Sequence, residues 1–224
     1  MSIYHLHIPR TSGGYIRNLI INNLNPKNAI SGHYRKISSF DFKDADFISG
    51  HYGIEPIKFV EKTFTVIRDP NELTFSYIKY LSLVDNNSKF NEDFLKKYLY
   101  QDDLRNSVTN VMTQFLSSEV KIEEYNRNIQ NHLYMANHSW CLKNNELSYK
   151  NALSIIQKNN IKIFIYNSEN LYSNILNFIN VNDNNILNNK INESFKENNN
   201  LFEKYFHVIK NANYEDNRLY EELI

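Results

Sequence analysis

Two short segments decide the fold, and the first reads His7-Ile8-Pro9-Arg10-Thr11-Ser12-Gly13-Gly14-Tyr15-Ile16-Arg17. It lies between the apolar run 3–8, which predicts a buried strand, and residues 14–24, whose apolar positions recur at helical spacing. A strand, a glycine-containing loop and a helix in this order present free backbone N–H groups at the helix N-terminus, where anions bind. The segment therefore predicts an anion-binding loop at one edge of a sheet.

The second segment is Thr65-Val66-Ile67-Arg68-Asp69-Pro70, which ends another predicted strand and begins another predicted helix. Its Asp-Pro pair suits the N-cap and first positions of that helix, and Glu72 suits the third. Arg68 ends the strand, and Ser76 follows about two turns into the helix. This segment offers a cation and a hydroxyl, which together suit a phosphate group.

Strands and helices are predicted to alternate along the rest of the chain. The pattern indicates strands at 45–49 and 161–166, mostly helical structure over 91–158, and helices at 168–179 and 214–223. It predicts an α/β protein of three layers, α/β/α, in which helices cover both faces of a central parallel sheet. Ligands of such sheets bind beyond the carboxyl ends of the strands, where both segments lie. The length suits one domain over residues 1–224.

Composition excludes several classes of partner. Lys+Arg and Asp+Glu both number 25, which argues against a nucleic-acid binder because such proteins usually carry a basic excess. No apolar run approaches the length of a membrane span, and the N-terminus lacks the pattern of a signal peptide. The single cysteine, Cys141, allows no intramolecular disulfide. A cytoplasmic protein is therefore expected, with a mobile loop at the Asn-rich residues 182–189.

The run Pro9-Arg10-Thr11-Ser12-Gly13-Gly14 resembles the pattern Pro-Lys-Thr-Gly-Gly-Thr of sulfotransferases that use 3′-phosphoadenosine 5′-phosphosulfate (PAPS). Ser12 stands at a usual Gly and Gly14 at a usual Thr or Ser. The Arg-Asp-Pro segment resembles the second motif of the same family. The resemblance implies a P-loop-like sulfotransferase fold. The residues that it implies for PAPS binding are Arg10, Thr11, Ser12, Gly13, Gly14, Tyr15, Arg68 and Ser76.

The resemblance also implies which part of the cofactor each of these residues contacts. Arg68 and Ser76 would bind its 3′-phosphate. Arg10 would act as a catalytic residue at the oxygen that bridges phosphate and sulfate, where charge builds as the bond breaks. The desulfated product would be adenosine 3′,5′-bisphosphate (PAP).

A hydroxyl that attacks sulfur must lose its proton, and a histidine suits that task near neutral pH. The run from Ser49 to Leu81 resembles uronosyl 2-O-sulfotransferases and related glycan sulfotransferases, in which a Gly-His at this place contributes the general base. The resemblance therefore implies His51 as the base and a carbohydrate hydroxyl as the acceptor. His33, in a similar Ser-Gly-His-Tyr sequence, stays an alternative.

Three later segments resemble the same enzymes more weakly. The run from Ile163 to Asn170 resembles the late strand of the family and the Glu that follows it. The run Asn110-Val111-Met112-Thr113-Gln114-Phe115-Leu116 resembles a helix that lines the acceptor side in bacterial carbohydrate sulfotransferases. The run from Asn213 to Tyr220 resembles a common Asn-x-x-Asp-x-x-Leu-Tyr ending.

Two other functions remain open from the sequence. A P-loop-like kinase would need a Lys and a hydroxyl residue after the final Gly of the loop, and neither is present. A non-catalytic protein that binds a nucleotide or a glycan is the other. No His, Cys or carboxylate cluster stands out at metal-ligand spacing, so no metal is expected.

Overall fold

A computed structural model describes residues 1–31, 37–84, 89–130, 147–181 and 199–224. Within these ranges, five strands form one sheet in the order β2-β3-β1-β4-β5, and every neighbouring pair is parallel. The strands are β1 (Ile3–Leu6), β2 (Ala29–Ser31), β3 (Phe47–Gly50), β4 (Lys62–Ile67) and β5 (Lys162–Ile165). The predicted α/β class with a central parallel sheet is confirmed.

Helices connect the strands and cover the sheet. They are α1 (Gly13–Leu24), α2 (Ser39–Lys43), α3 (Pro70–Val84), α4 (Glu92–Tyr100), α5 (Asp102–Val108), α6 (Val111–Ser117), α7 (Ile122–Gln130), α8 (Tyr149–Lys158), α9 (Leu171–Phe178), α10 (Asn199–Ala212) and α11 (Tyr214–Leu223). A 3-10 helix spans Glu55–Phe59. β1 lies in the middle of the sheet. From β1 the chain forms β2 and β3 on one side, and it then crosses to form β4 and β5 on the other side. The loop after β1 therefore lies at the point where the strand order reverses, which is where ligands bind in such sheets.

Alternate residues of the central strand face two separate cores. Ile3 packs into one apolar cluster with residues of α1 and α9, whereas Tyr4 and Leu6 belong to a larger cluster with residues of α3, α6, α8, α10 and α11. This two-sided burial explains why β1 is a nearly continuous apolar run. The result is the expected three-layer arrangement, with helices on both faces of the sheet.

Four elements were not predicted: β2, α2, the 3-10 helix and α10. β2 has only three residues, which is too short to show a periodic pattern. α10 does carry a signal, because Leu201, Tyr205 and Ile209 recur at four-residue spacing. The predicted loop at 182–189 and the alternative base His33 lie outside the described residues. In the part of the chain that is described, no helix has the length and apolar character needed to cross a membrane.

Candidate functional site

The loop between β1 and α1 holds two non-glycine residues in left-handed backbone conformations. Arg10 has a φ of 66°, and Ser12, the N-cap of α1, has a φ of 63° and a ψ of 20°. Such conformations cost roughly 1 kcal/mol for a residue with a Cβ. Ser12 is also the position at which the sulfotransferase pattern has Gly, so the backbone keeps the shape that a glycine would favour. Strain of this kind collects at ligand sites.

The two glycines of the loop have opposite surroundings. Gly13 is buried beneath the ring of His7, and a Cβ at Gly13 would overlap that ring. Gly14 is exposed, and nothing would lie within 4 Å of a Cβ there. The backbone is thus covered on the side of Gly13 and open on the side of Gly14, where a ligand could approach it closely.

The loop hydroxyls are engaged within the protein. The Thr11 side chain is fully buried, and its Oγ1 donates a hydrogen bond of 2.7 Å to the carbonyl of Ile8. Ser12 is hydrogen-bonded to Tyr172, and this bond opposes the rise in the Tyr172 pKa that burial causes. Tyr15 lies beside the Tyr172 ring, with 4.5 Å between the centroids. The anion-binding groups that the loop can offer are therefore chiefly the first backbone N–H groups of α1.

The structure brings Arg10, Arg68 and Ser76 together, as the sequence predicted for neighbouring strand ends. Arg10 Nε donates to Ser76 Oγ at 3.3 Å, and Arg68 Nη1 donates to the Arg10 carbonyl at 3.4 Å. Arg68 also forms an ion pair of 3.3 Å with Glu72, one turn into α3. Burial lowers the pKa of Arg10, and the nearby charge of Arg68 lowers it further.

Tyrosine rings support both arginines. The Arg10 guanidinium lies 4.9 Å from the centroid of Tyr80, and the Arg68 guanidinium lies 4.6 Å from that of Tyr166. Arg68 and Ser76 are each only 6% exposed. Cation–π contacts of this kind hold a guanidinium in one orientation without neutralising it. With two guanidinium groups and one carboxylate, Glu72, the cluster keeps a net positive charge in a fixed arrangement at the start of α3.

His51 follows β3, next to the start of the anion loop. Its Nδ1 lies 2.6 Å from the carbonyl oxygen of His7. Because a carbonyl can only accept, Nδ1 carries the proton in this bond, and Nε2 is the basic nitrogen of the neutral ring. His51 is 3% exposed; its ring stacks on His7 at 4.3 Å and lies 5.5 Å from Phe115. The tautomer suits a general base, and the burial restricts its access.

His5 extends the same line of rings but has a structural environment. It is fully buried, stacks on Phe64 at 4.8 Å and is bonded through Nδ1 to Ser49 Oγ at 3.0 Å. Burial, with a smaller effect of Arg17, lowers the pKa of His5 to about 3. It therefore stays neutral at physiological pH and packs as part of the sheet.

Two of the weakly resembling segments, 110–116 and 213–220, contact each other. Asp216 Oδ2 accepts a hydrogen bond of 2.9 Å from the Met112 N–H, and its Oδ1 accepts one of 2.7 Å from the Thr113 N–H. In return, Asn110 Oδ1 accepts a bond of 3.1 Å from the Asp216 N–H. Asp216 thus caps the N-terminus of α6 from α11. Burial raises the pKa of this carboxyl to about 6.

Sequence reasoning missed this polar junction, which also includes Asn213. Asn213 Oδ1 accepts a bond of 2.9 Å from the Asn110 N–H, and its Nδ2 donates to Thr74 Oγ1 on α3 at 2.9 Å. The Asn-x-x-Asp spacing is the available signal, since it puts both side chains on one face of a helical turn. Its role here is to join α3, α6 and α11 behind the candidate site.

Within the described ranges, no group of three or more His, Cys, Asp or Glu side chains could hold a metal ion. Comparison of the chain with protein-family models, with curated proteins and with solved structures finds no match.

Proposed function

We propose that the protein is a sulfotransferase that uses PAPS and transfers the sulfuryl group to a hydroxyl, with a carbohydrate as the acceptor. The observation that supports this most is the meeting of Arg10, Arg68 and Ser76 beside the N-terminus of α1. Two cations and a hydroxyl at the strand ends, close in the chain to the first N–H groups of α1, are the groups that such a donor needs. The cytoplasm is the proposed compartment, because a chain with a single cysteine forms no intramolecular disulfide and needs no oxidising environment.

The residues present fit the two anionic parts of this donor. The first turn of α1, open at Gly14, suits the 5′-phosphosulfate because helix N-termini bind such groups through backbone N–H. Arg68 and Ser76 suit the 3′-phosphate, since a guanidinium fork and a hydroxyl both donate to phosphate oxygens. Arg10 adds a second cation. One nucleotide with phosphate groups at both ribose positions would engage both regions.

The donor supplies an activated sulfuryl group, and the protein moves the proton and stabilises the charge. The acceptor oxygen forms a bond to sulfur while the bond between sulfur and the bridging oxygen breaks. His51 Nε2 takes the proton of the acceptor hydroxyl, and the His7 carbonyl holds the required tautomer through Nδ1. The electron pair of the broken bond stays on the phosphate oxygen, where the N–H groups of α1 stabilise it.

One observation favours a second candidate, a non-catalytic protein that binds the same nucleotide. His51 is only 3% exposed, and its ring packs against those of His7 and Phe115. An acceptor hydroxyl would reach Nε2 only after this packing opens. Binding of the nucleotide without transfer to any acceptor would favour this second function.

The first test is thermal stabilisation by nucleotides. PAP at a hundred times its dissociation constant should stabilise the protein by about 2.7 kcal/mol. For a chain of this size, that is about 5–11 °C in melting temperature. AMP at the same concentration should stabilise it much less, because Arg68 and Ser76 would have no 3′-phosphate to bind.

The second test is transfer of labelled sulfate from PAPS to a panel of carbohydrates in excess EDTA. Transfer without magnesium supports the proposal. Equal stabilisation by PAP and AMP would contradict the assignment of Arg68 and Ser76. A strict need for magnesium with ATP as the donor would identify a kinase instead.

A further inference from the structure

The side chain of Arg10 leaves the anion loop and lies on α3. Its Nε bonds to Ser76 Oγ at 3.3 Å, and its guanidinium lies 4.9 Å from the Tyr80 centroid. Ser76 and Tyr80 are four residues apart and share one face of the helix. The head of Arg10 is therefore held at the α3 surface and not over the N-terminus of α1.

The main chain of Arg10 is directed to the same place. Its backbone is left-handed, with a φ of 66°. Its carbonyl accepts the hydrogen bond from Arg68 Nη1. Arg10 is thus in contact with Arg68 through its backbone and with Ser76 through its side chain. These are the two residues to which the proposed function gives the 3′-phosphate.

We propose that Arg10 binds the 3′-phosphate of the donor together with Arg68 and Ser76, and that it makes the site selective for a 3′-phosphorylated nucleotide. This inference rests on the proposed function and revises the role that the resemblance implies, at the bridging oxygen. The bridging oxygen is then stabilised by the backbone N–H groups of α1.

Electrostatics favour this arrangement. Arg68 is buried and Arg10 is partly buried, so both guanidinium groups lack the full hydration that they would have in water. They repel each other, and Glu72, which pairs with Arg68, offsets only one of the two positive charges. A phosphate monoester carries a charge of about −1.5 to −2 at neutral pH and several acceptor oxygens, so it can bond both forks and remove the repulsion. A nucleotide with a 3′-hydroxyl carries no charge at that position and cannot offset the repulsion between the two arginines. It should therefore bind to this arginine pair more weakly.

The experiment compares the dissociation constants of PAP and AMP by calorimetry for the wild type and for Arg10→Gln. In the wild type, PAP should bind far more tightly than AMP. Arg10→Gln should weaken the binding of PAP by about 10- to 100-fold, the usual effect of losing hydrogen bonds to a charged group, and should leave the dissociation constant of AMP unchanged. The ratio of the two constants should therefore fall at least tenfold.

Two further variants control the result. Arg17→Gln removes a cation from α1 outside the cluster and should leave the ratio within about threefold of the wild type, unless long-range charge alone explains the effect. Arg10→Lys keeps the charge without the fork, and it should lower the ratio less than Arg10→Gln does. Thermal unfolding followed by circular dichroism checks that each variant is folded. If Arg10→Gln is unfolded, the comparison of PAP and AMP is made with Arg10→Lys.

The outcomes separate the two proposals. Equal weakening of PAP and AMP by Arg10→Gln would place Arg10 at the 5′ group and overturn the inference, even if sulfuryl transfer is observed. A selective loss of PAP binding without transfer to any acceptor would uphold the inference and contradict the proposed enzyme. A wild type that does not distinguish PAP from AMP would contradict both.

Discussion

The two adjacent glycines at the start of α1 allow a matched test of the loop geometry. Gly13→Ala puts a methyl group where the His7 ring lies, whereas Gly14→Ala puts the same group into open space. Both residues are in the first turn of one helix. The two substitutions therefore share any effect on helix propensity and differ only in packing.

The structure gives the sign and size of the difference. Alanine in place of helical glycine stabilises by about 0.5 kcal/mol where nothing clashes, and this is the expectation for Gly14→Ala. Overpacking a buried site costs about 1–3 kcal/mol, because His7 is stacked on His51 and cannot move without disturbing that contact. Gly13→Ala should thus lose about 0.5–2.5 kcal/mol net. With about 2–4 °C per kcal/mol for a chain of this size, its melting temperature should fall by about 1–10 °C.

The assay is thermal unfolding of both variants and of their combinations with His7→Ala. Gly14→Ala should melt slightly above the wild type and Gly13→Ala below it. With His7 shortened, Gly13→Ala should no longer destabilise, because the ring that it overlaps is gone. If Gly13→Ala and Gly14→Ala melt together, or if the loss persists in the His7→Ala background, His7 does not cover Gly13 and the loop has a different shape.

Two further predictions concern titration and the base. Because burial raises the pKa of Asp216 to about 6, the folded state keeps a proton there that the unfolded chain releases near pH 4. The free energy of unfolding should therefore fall by about 3 kcal/mol as pH rises from about 3 to 7, mostly between pH 4 and 6, and Asp216→Asn should remove this fall in urea unfolding curves; an unchanged slope in the variant would contradict it. His51→Ala should lower the rate of sulfuryl transfer at least about a hundredfold with PAP affinity unchanged. A normal rate in His51→Ala, with activity lost in His33→Ala, would move the base to His33.

Local signals predicted the parts of the site that depend on neighbouring residues in the chain. Asp69 is the N-cap of α3, as its position before Pro70 indicated, and its Oδ1 accepts bonds of 3.0 Å from the Asn71 and Glu72 N–H groups. The proximity of Arg10 to Arg68 followed from the rule that parallel strands end at one edge. These features need only strand direction and helix capping.

Features that depend on packing between distant segments were not predictable. Three features of the site depend on which of several available partners a side chain contacts. They are the hydrogen bond of the Thr11 hydroxyl to the Ile8 carbonyl, the ring of His7 over Gly13 and the position of Arg10 on α3. A sequence pattern states which groups are available at a loop. It does not state which of them the surrounding core has already engaged.

The cap that Asp216 places on α6 also has a consequence for synthesis. Met112 and Asp216 are separated by 104 residues, so the helix leaves the ribosome well before its cap exists. At translation rates of about 5–20 residues per second, the interval is roughly 5–20 s. During that time Met112, Phe115 and Leu116 of α6 lack the part of their apolar cluster that α11 supplies through Leu219. The nascent chain should therefore offer this surface to chaperones until α11 has emerged and docked.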